Sequence, residues 1–317
     1  MPRSDSRGVP MLAFKHSRSL CYCIISLTHY GEGRTLPPQI GETGMATIDV
    51  LIASTRPARR IDWLGRSATF CYLAIAVGQL LFVAFILLYY YPSTLSGNFA
   101  AWNDKPIIKG FVAGDTAGNL FFAVHVLLAA VITFGGLVQL VPAIGNRRPA
   151  LHRWNGRLYM LCALALALGG LWMTWGRGTW LNYIGAIGIT LDALLITGFA
   201  ALAWQAARHR QFADHRRWAI RLFAVASAVW FMRVGYMAWG LATGGAGIGK
   251  AMDGPFDLFL AFANSLLPLA IAELYLRAGA RGTPLARQAT AALLGVSGLV
   301  ILAGSAGAWM VMWGPYI

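Results

Sequence analysis

Ser67 to Tyr91 reads SATFCYLAIAVGQLLFVAFILLYYY, twenty-five residues without a charged side chain. As a helix this run exceeds the roughly 20 residues that cross a bilayer core. It is apolar on every side, so it needs lipid or protein all round. Comparable runs follow at Leu120 to Val141, Leu158 to Trp175, Tyr183 to Ala206, Ala219 to Leu241, Phe256 to Leu276 and Ala291 to Trp313. Together they predict an all-α polytopic transmembrane bundle of about seven spans.

Composition agrees with that reading. Of 317 residues 57% are hydrophobic and only 12% charged, against roughly a quarter charged in soluble domains. The net charge of +14 would suit a nucleic-acid binder, but its distribution excludes that partner. Arg56, Arg59, Arg60 and Arg66 precede the first span, and Arg147, Arg148, Arg153 and Arg157 lie between the second and third. Arg208, Arg210, Arg216, Arg217 and Arg221 flank the fourth connection, and Arg277, Arg281 and Arg287 the sixth. The alternate connections hold mainly Lys105, Lys109, Arg177 and Lys250, diluted by Asp104, Asp115, Asp253 and Asp257. By the positive-inside rule the N-terminus is cytoplasmic and the C-terminus outside. The clustered arginines also suit anionic lipid headgroups at the cytoplasmic face.

The N-terminal 60 residues read as a disordered cytoplasmic extension before a transmembrane domain over 61–317. Their apolar stretch LCYCIISL is much shorter than a span, and Met45, just ahead of the orienting arginines, is an alternative start. Cys71 and Cys162 fall in separate spans while Cys21 and Cys23 lie in the extension, so no disulfide framework is expected.

A signature occurs twice, as LHRWNGRL from Leu151 to Leu158 and as DHRRWAIRL from Asp214 to Leu222. Each copy opens a span on the basic side. Spans two to five then read as a duplicated helical hairpin about a pseudo-twofold axis along the membrane normal, forming a central four-helix unit. Spans one, six and seven would surround it. Interfacial anchoring explains the repeated Arg and Trp equally well; the repeated His152 and His215 fit that account less easily.

With the preceding helix, these segments resemble a family of predicted bacterial membrane proteins of unknown function, domain of unknown function 2306. The resemblance rests on His125, Gly136, Gln139, Arg148, HRWNGRLY from His152 to Tyr159, HRRWAIRLFA from His215 to Ala224, and Arg233 with Val234. It covers roughly Leu120 to Gly235 and departs at Ala219, where that family usually has Met. It implies a membrane protein and names no reaction.

Ionisable groups inside a bilayer are costly and by default mark function. His125, Asp192 and Arg233 stand at comparable depth below the outer helix ends, and Asn264 joins them. They line a polar cavity on one reading; on the other, Asp192 and Arg233 form a structural ion pair. A second group, Gln139, His152, Arg153, Arg157, His215, Arg216, Arg217, Arg221 and Glu273, gathers towards the cytoplasm.

The leading functional reading is a redox cofactor, haem b or a quinone, held between spans two and five. Its candidate residues are His125, His152 and His215, with Arg157 and Arg221 for haem propionates. Haem iron is the only metal this reading admits. His125 has no histidine partner at its own depth, and His152 and His215 lie close to water. The rival is a small-solute or proton-coupled transporter using His125, Asp192 and Arg233, and a third is a structural or assembly factor of the envelope. No zinc helix, phosphate loop or nucleophile elbow is present in the sequence.

Overall fold

The computed structural model describes residues 61–105, 110–180 and 182–317. The expected disordered extension, its cysteines, the Met45 start, and Arg56, Arg59, Arg60 and Lys109 lie outside the described residues. The described chain is helical, in the order α1 Trp63–Leu95, α2 Thr116–Gln139, a short α3 Pro142–Arg147, α4 Pro149–Gly176, α5 Tyr183–Arg208, α6 Phe212–Ala226, α7 Ala228–Thr243, α8 Pro255–Arg281 and α9 Pro284–Tyr316. Six of these helices are long and apolar enough to cross a membrane.

α6 and α7 meet at a 54° bend, and taken together they would make a seventh span. Neither half, at 15 and 16 residues, reaches across alone. Ser227 stands at the break, and its hydroxyl oxygen accepts from Gln79 Nε2 of α1 at 2.9 Å. This bond ties the break to α1.

Helix starts follow from local chemistry. Asp62, Asp115, Asn182 and Thr283 each accept a backbone N–H three residues on, which satisfies donors left free at a helix N-terminus. Pro149, Pro255 and Pro284 occupy the first turn, where a missing N–H costs nothing. Successive spans alternate in direction, so the described arginines of these clusters share one end, hereafter the basic face. Lys105, Arg177 and Lys250 share the opposite face.

The two hairpins lie side by side, α2 against α4, α4 against α5, and α5 against α6. α1, α2, α4, α5, α8 and α9 form a closed ring, and the bent span α6–α7 sits within it. It packs against α5, α8 and α9, meets α1 where Trp230 Nε1 donates to Gly78 O, and meets α2 where Phe223 covers Gly136. At Gly136 a Cβ would come within 2.9 Å of the Tyr159 ring and 3.1 Å of Phe223, so the glycine lets three helices meet there without displacing either ring. Cys71 and Cys162 are free and buried.

Candidate functional site

Four polar residues expected at one depth do share a layer. His125, Asp192 and Asn264 lie about nine residues inside the opposite-face ends of α2, α5 and α8, and Arg233 about ten inside that of α7. At helical rise this is roughly 14 Å along each axis. The layer divides into two parts. Arg233 points towards α1 and α2: its guanidinium lies 5.4 Å from the Phe82 ring centroid and donates to Val229 O at 2.8 Å, with Tyr90, Lys105 and His125 in its electrostatic neighbourhood. Asp192 belongs to the α5–α8 contact. There Gly188 packs against the backbone of Ala261, and one turn further along these parallel helices Asp192 and Asn264 come level.

The expected Asp192–Arg233 ion pair is therefore absent among the described residues. The reason is directional: the two side chains leave their helices towards different neighbours. Asp192 Oδ1 and Asn264 Oδ1 are both buried without a hydrogen-bond partner among the described residues.

His125 faces α4, with its ring beside Gly169 and Gly170, and its Nδ1 is buried without a partner among the described residues. It lines a cavity of about 320 Å³ between α2 and α4, with Phe121, Val124, Leu128, Leu166, Leu168 and Trp172 as its main apolar walls. Phe121, Val124, Leu168 and Trp172 are exposed on the outer surface of the bundle, so the cavity is a groove that opens towards lipid. Phe121 and Trp172 stack across it with centroids 4.3 Å apart.

Gln139 belongs elsewhere than the polar layer. At the basic face its Nε2 donates to His152 O and meets His152 Nε2, both at 3.2 Å, while its Oε1 accepts from Asn155 Nδ2 at 2.8 Å. Asn155 also donates to Gly135 O at 2.8 Å, which completes a polar clasp between α2 and α4. His152 Nδ1 is buried without a partner. His215 Nδ1 lies 2.9 Å from Ala203 O, a contact that fixes its ring against α5, and the two histidines are close enough to interact electrostatically.

The arginines of the repeat are engaged. Arg157 lies over Trp154 at 4.9 Å and Arg221 over Trp218 at 4.5 Å, so both copies build the same i, i+3 cation–π pair. Arg221 is further held bidentately by Glu273 of α8, through Nε to Oε1 and through Nη2 to Oε2 at 3.1 Å. For a haem between His152 and His215 this fit is poor. The His152 Nε2 meets Gln139, and Arg221 already has its carboxylate. Only His215 shows the arrangement of a ligand imidazole, one nitrogen on a carbonyl and the other available.

Several participants are not singled out by the sequence reading. Asn155 hides inside HRWNGRLY, and Gln79 is the one amide in the first apolar run, a signal that could have been followed. Arg177 and Asp115 read as loop charges, yet they pair at 2.8 Å with the guanidinium only 6% exposed. Arg177 also donates to Asn119 Oδ1 at 2.9 Å and so ties the end of α4 to the start of α2.

These features define a multi-span helical membrane protein with a lipid-open groove, a layer of intramembrane polar groups and a basic face. Residues 122–250, from α2 to the loop after α7, match the model of a family described as a predicted membrane protein (DUF2306). That stretch holds both copies of the repeat, His125, Asp192 and Arg233. No curated protein and no solved structure matches the chain.

Proposed function

We propose that the chain is a multi-pass protein of a bacterial inner membrane that binds an isoprenoid quinone, or a lipid-soluble carbonyl compound of that class, in the groove between α2 and α4. The observation that carries this reading is the buried, unpartnered Nδ1 of His125 in an otherwise apolar, lipid-open cavity. A buried ring nitrogen without a partner favours a ligand that supplies one. A quinone carbonyl would accept from it, and its ring and tail suit the Phe121 and Trp172 walls. Binding of a short-chain benzoquinone to the purified protein tests this: His125→Leu should weaken it about tenfold, the worth of one hydrogen bond of about 1 kcal/mol or slightly more. Unchanged affinity in His125→Leu would overturn the assignment. A Soret band in the same preparation would instead return haem to the first place.

A second reading, a proton-coupled transporter, is favoured by Asp192 and Asn264, whose buried carboxylate and amide oxygens lack partners at the α5–α8 contact. Proteoliposome uptake of a solute that is abolished by a protonophore but unchanged by Asp192→Asn would remove Asp192 from coupling. For topology we propose the basic face as cytoplasmic, with Arg157 and its neighbours among anionic lipid headgroups.

A further inference from the structure

Between α1, α7 and α9, near the opposite face, lies an aromatic cluster outside the groove. Trp313 packs on Phe82 with centroids 5.4 Å apart and on Phe85 at 6.3 Å, and Phe85 stacks on Tyr89 at 5.3 Å. Two cations cover these same rings. Lys105 Nζ stands 4.1 Å from the Phe85 centroid and 5.3 Å from that of Tyr316, and the Arg233 guanidinium lies over Phe82. Neither cation has a carboxylate within ion-pair distance among the described residues. Asp104, the chain neighbour of Lys105, is exposed. The cation–π contacts hold the two groups in place but leave their charge uncompensated. A third donor packs on the same rings: Trp313 is fully buried, and its Nε1 has no hydrogen-bond partner among the described residues.

Around these shared rings an ammonium and a guanidinium lack a carboxylate partner, and an indole N–H lacks an acceptor, among the described residues. Buried donors of this kind are costly unless something accepts from them, and charge-assisted bonds to an oxyanion are the strong way of doing so. We propose that Lys105, Arg233 and Trp313 form a binding site for a phosphate-type oxyanion, free or as the headgroup of an anionic lipid, reached from the face opposite the arginine clusters. The site is independent of the groove reading, since it uses none of the groove's lining residues. Burial, together with repulsion from Arg233, lowers the Lys105 pKa to about 8.

Two probes distinguish the source. Inorganic phosphate is titrated into the full chain in neutral detergent and followed by calorimetry. Separately, the chain in phosphatidylcholine nanodiscs with or without phosphatidic acid is examined by native mass spectrometry for retained lipid. Saturable binding of phosphate identifies a soluble anion; retention of phosphatidic acid alone identifies a headgroup. In either case Lys105→Gln and Trp313→Phe should each weaken binding, the first about tenfold for one charge-assisted hydrogen bond. Lys250→Gln, an exposed lysine of the same face, should leave it unchanged. Lys105 sits between spans, so its variant tests the site even if Arg233→Gln fails to fold. The proposal is overturned if neither probe binds, or if binding survives Lys105→Gln and Trp313→Phe undiminished.

Discussion

Asp192 and Arg233 show how far a single position carries an argument. Their shared depth is legible from counting along the helices, but direction is not, because a run that is apolar on all sides has no stripe to orient it. With separate surroundings, the two should contribute independently: Asp192→Asn and Arg233→Gln should change stability additively to within about 0.5 kcal/mol, measured by unfolding in detergent. A coupling well above that would restore the ion pair. Lys105 makes a second prediction at this scale. Burial and the neighbouring Arg233 disfavour its ammonium; it also lies over the Tyr316 ring, Tyr89 and Tyr90 pack on the Phe85 ring it covers, and Asp104 precedes it in the chain. Its neutral amine should therefore react with an acylating reagent with a midpoint near pH 8, below that of exposed Lys250, as read by mass spectrometry of each peptide. Because the folded pKa lies under the usual lysine value, the unfolded chain holds this proton more tightly. The Lys105 contribution to stability accordingly rises with pH above about 8, up to the unfolded lysine range.

Between elements, contact is decided by small residues and paired amides. Gly136 admits Tyr159 and Phe223 together, so Gly136→Ala should lose roughly 1–3 kcal/mol through overpacking. Gly198, within α5 and with nothing within 4 Å of a Cβ, is the control. Gly198→Ala should be neutral, or gain about 0.5–1 kcal/mol from helix propensity. Removing the Gln79 partner with Ser227→Ala should cost about 0.6–2 kcal/mol and leaves a buried amide unsatisfied. Thermal unfolding of the three variants in one detergent separates these outcomes. The repeat was readable as sequence, while its shared structural product, Arg over Trp in each copy, needed side-chain positions. The bend at Ser227 had no such signal: the run from Ala219 to Leu241 contains no proline, and the hydroxyl acts through an amide 148 positions away.

For the molecule as a whole, the class was legible because lipid imposes length and apolarity on every span, and the arginines mark one end by position alone. Which helix stands in the middle was not, since ring and centre are equally apolar. If the basic face is cytoplasmic, a reporter fused after Ile317 should be active only outside the cytoplasm, with alkaline phosphatase positive and green fluorescence absent. The reverse result would discard the orientation while leaving the bundle intact.

The central place of α6–α7 bears on biogenesis. The chain emerges from the ribosome with this span fifth in order, yet α8 and α9, two of the walls that enclose it, are made afterwards. Until they arrive, Val234 and Leu260 have not met their partners across Gly304 and Gly235, and Arg221 lacks Glu273. The nascent intermediate thus holds its most polar span against lipid or an insertase, and release before residue 281 should send it to membrane proteolysis.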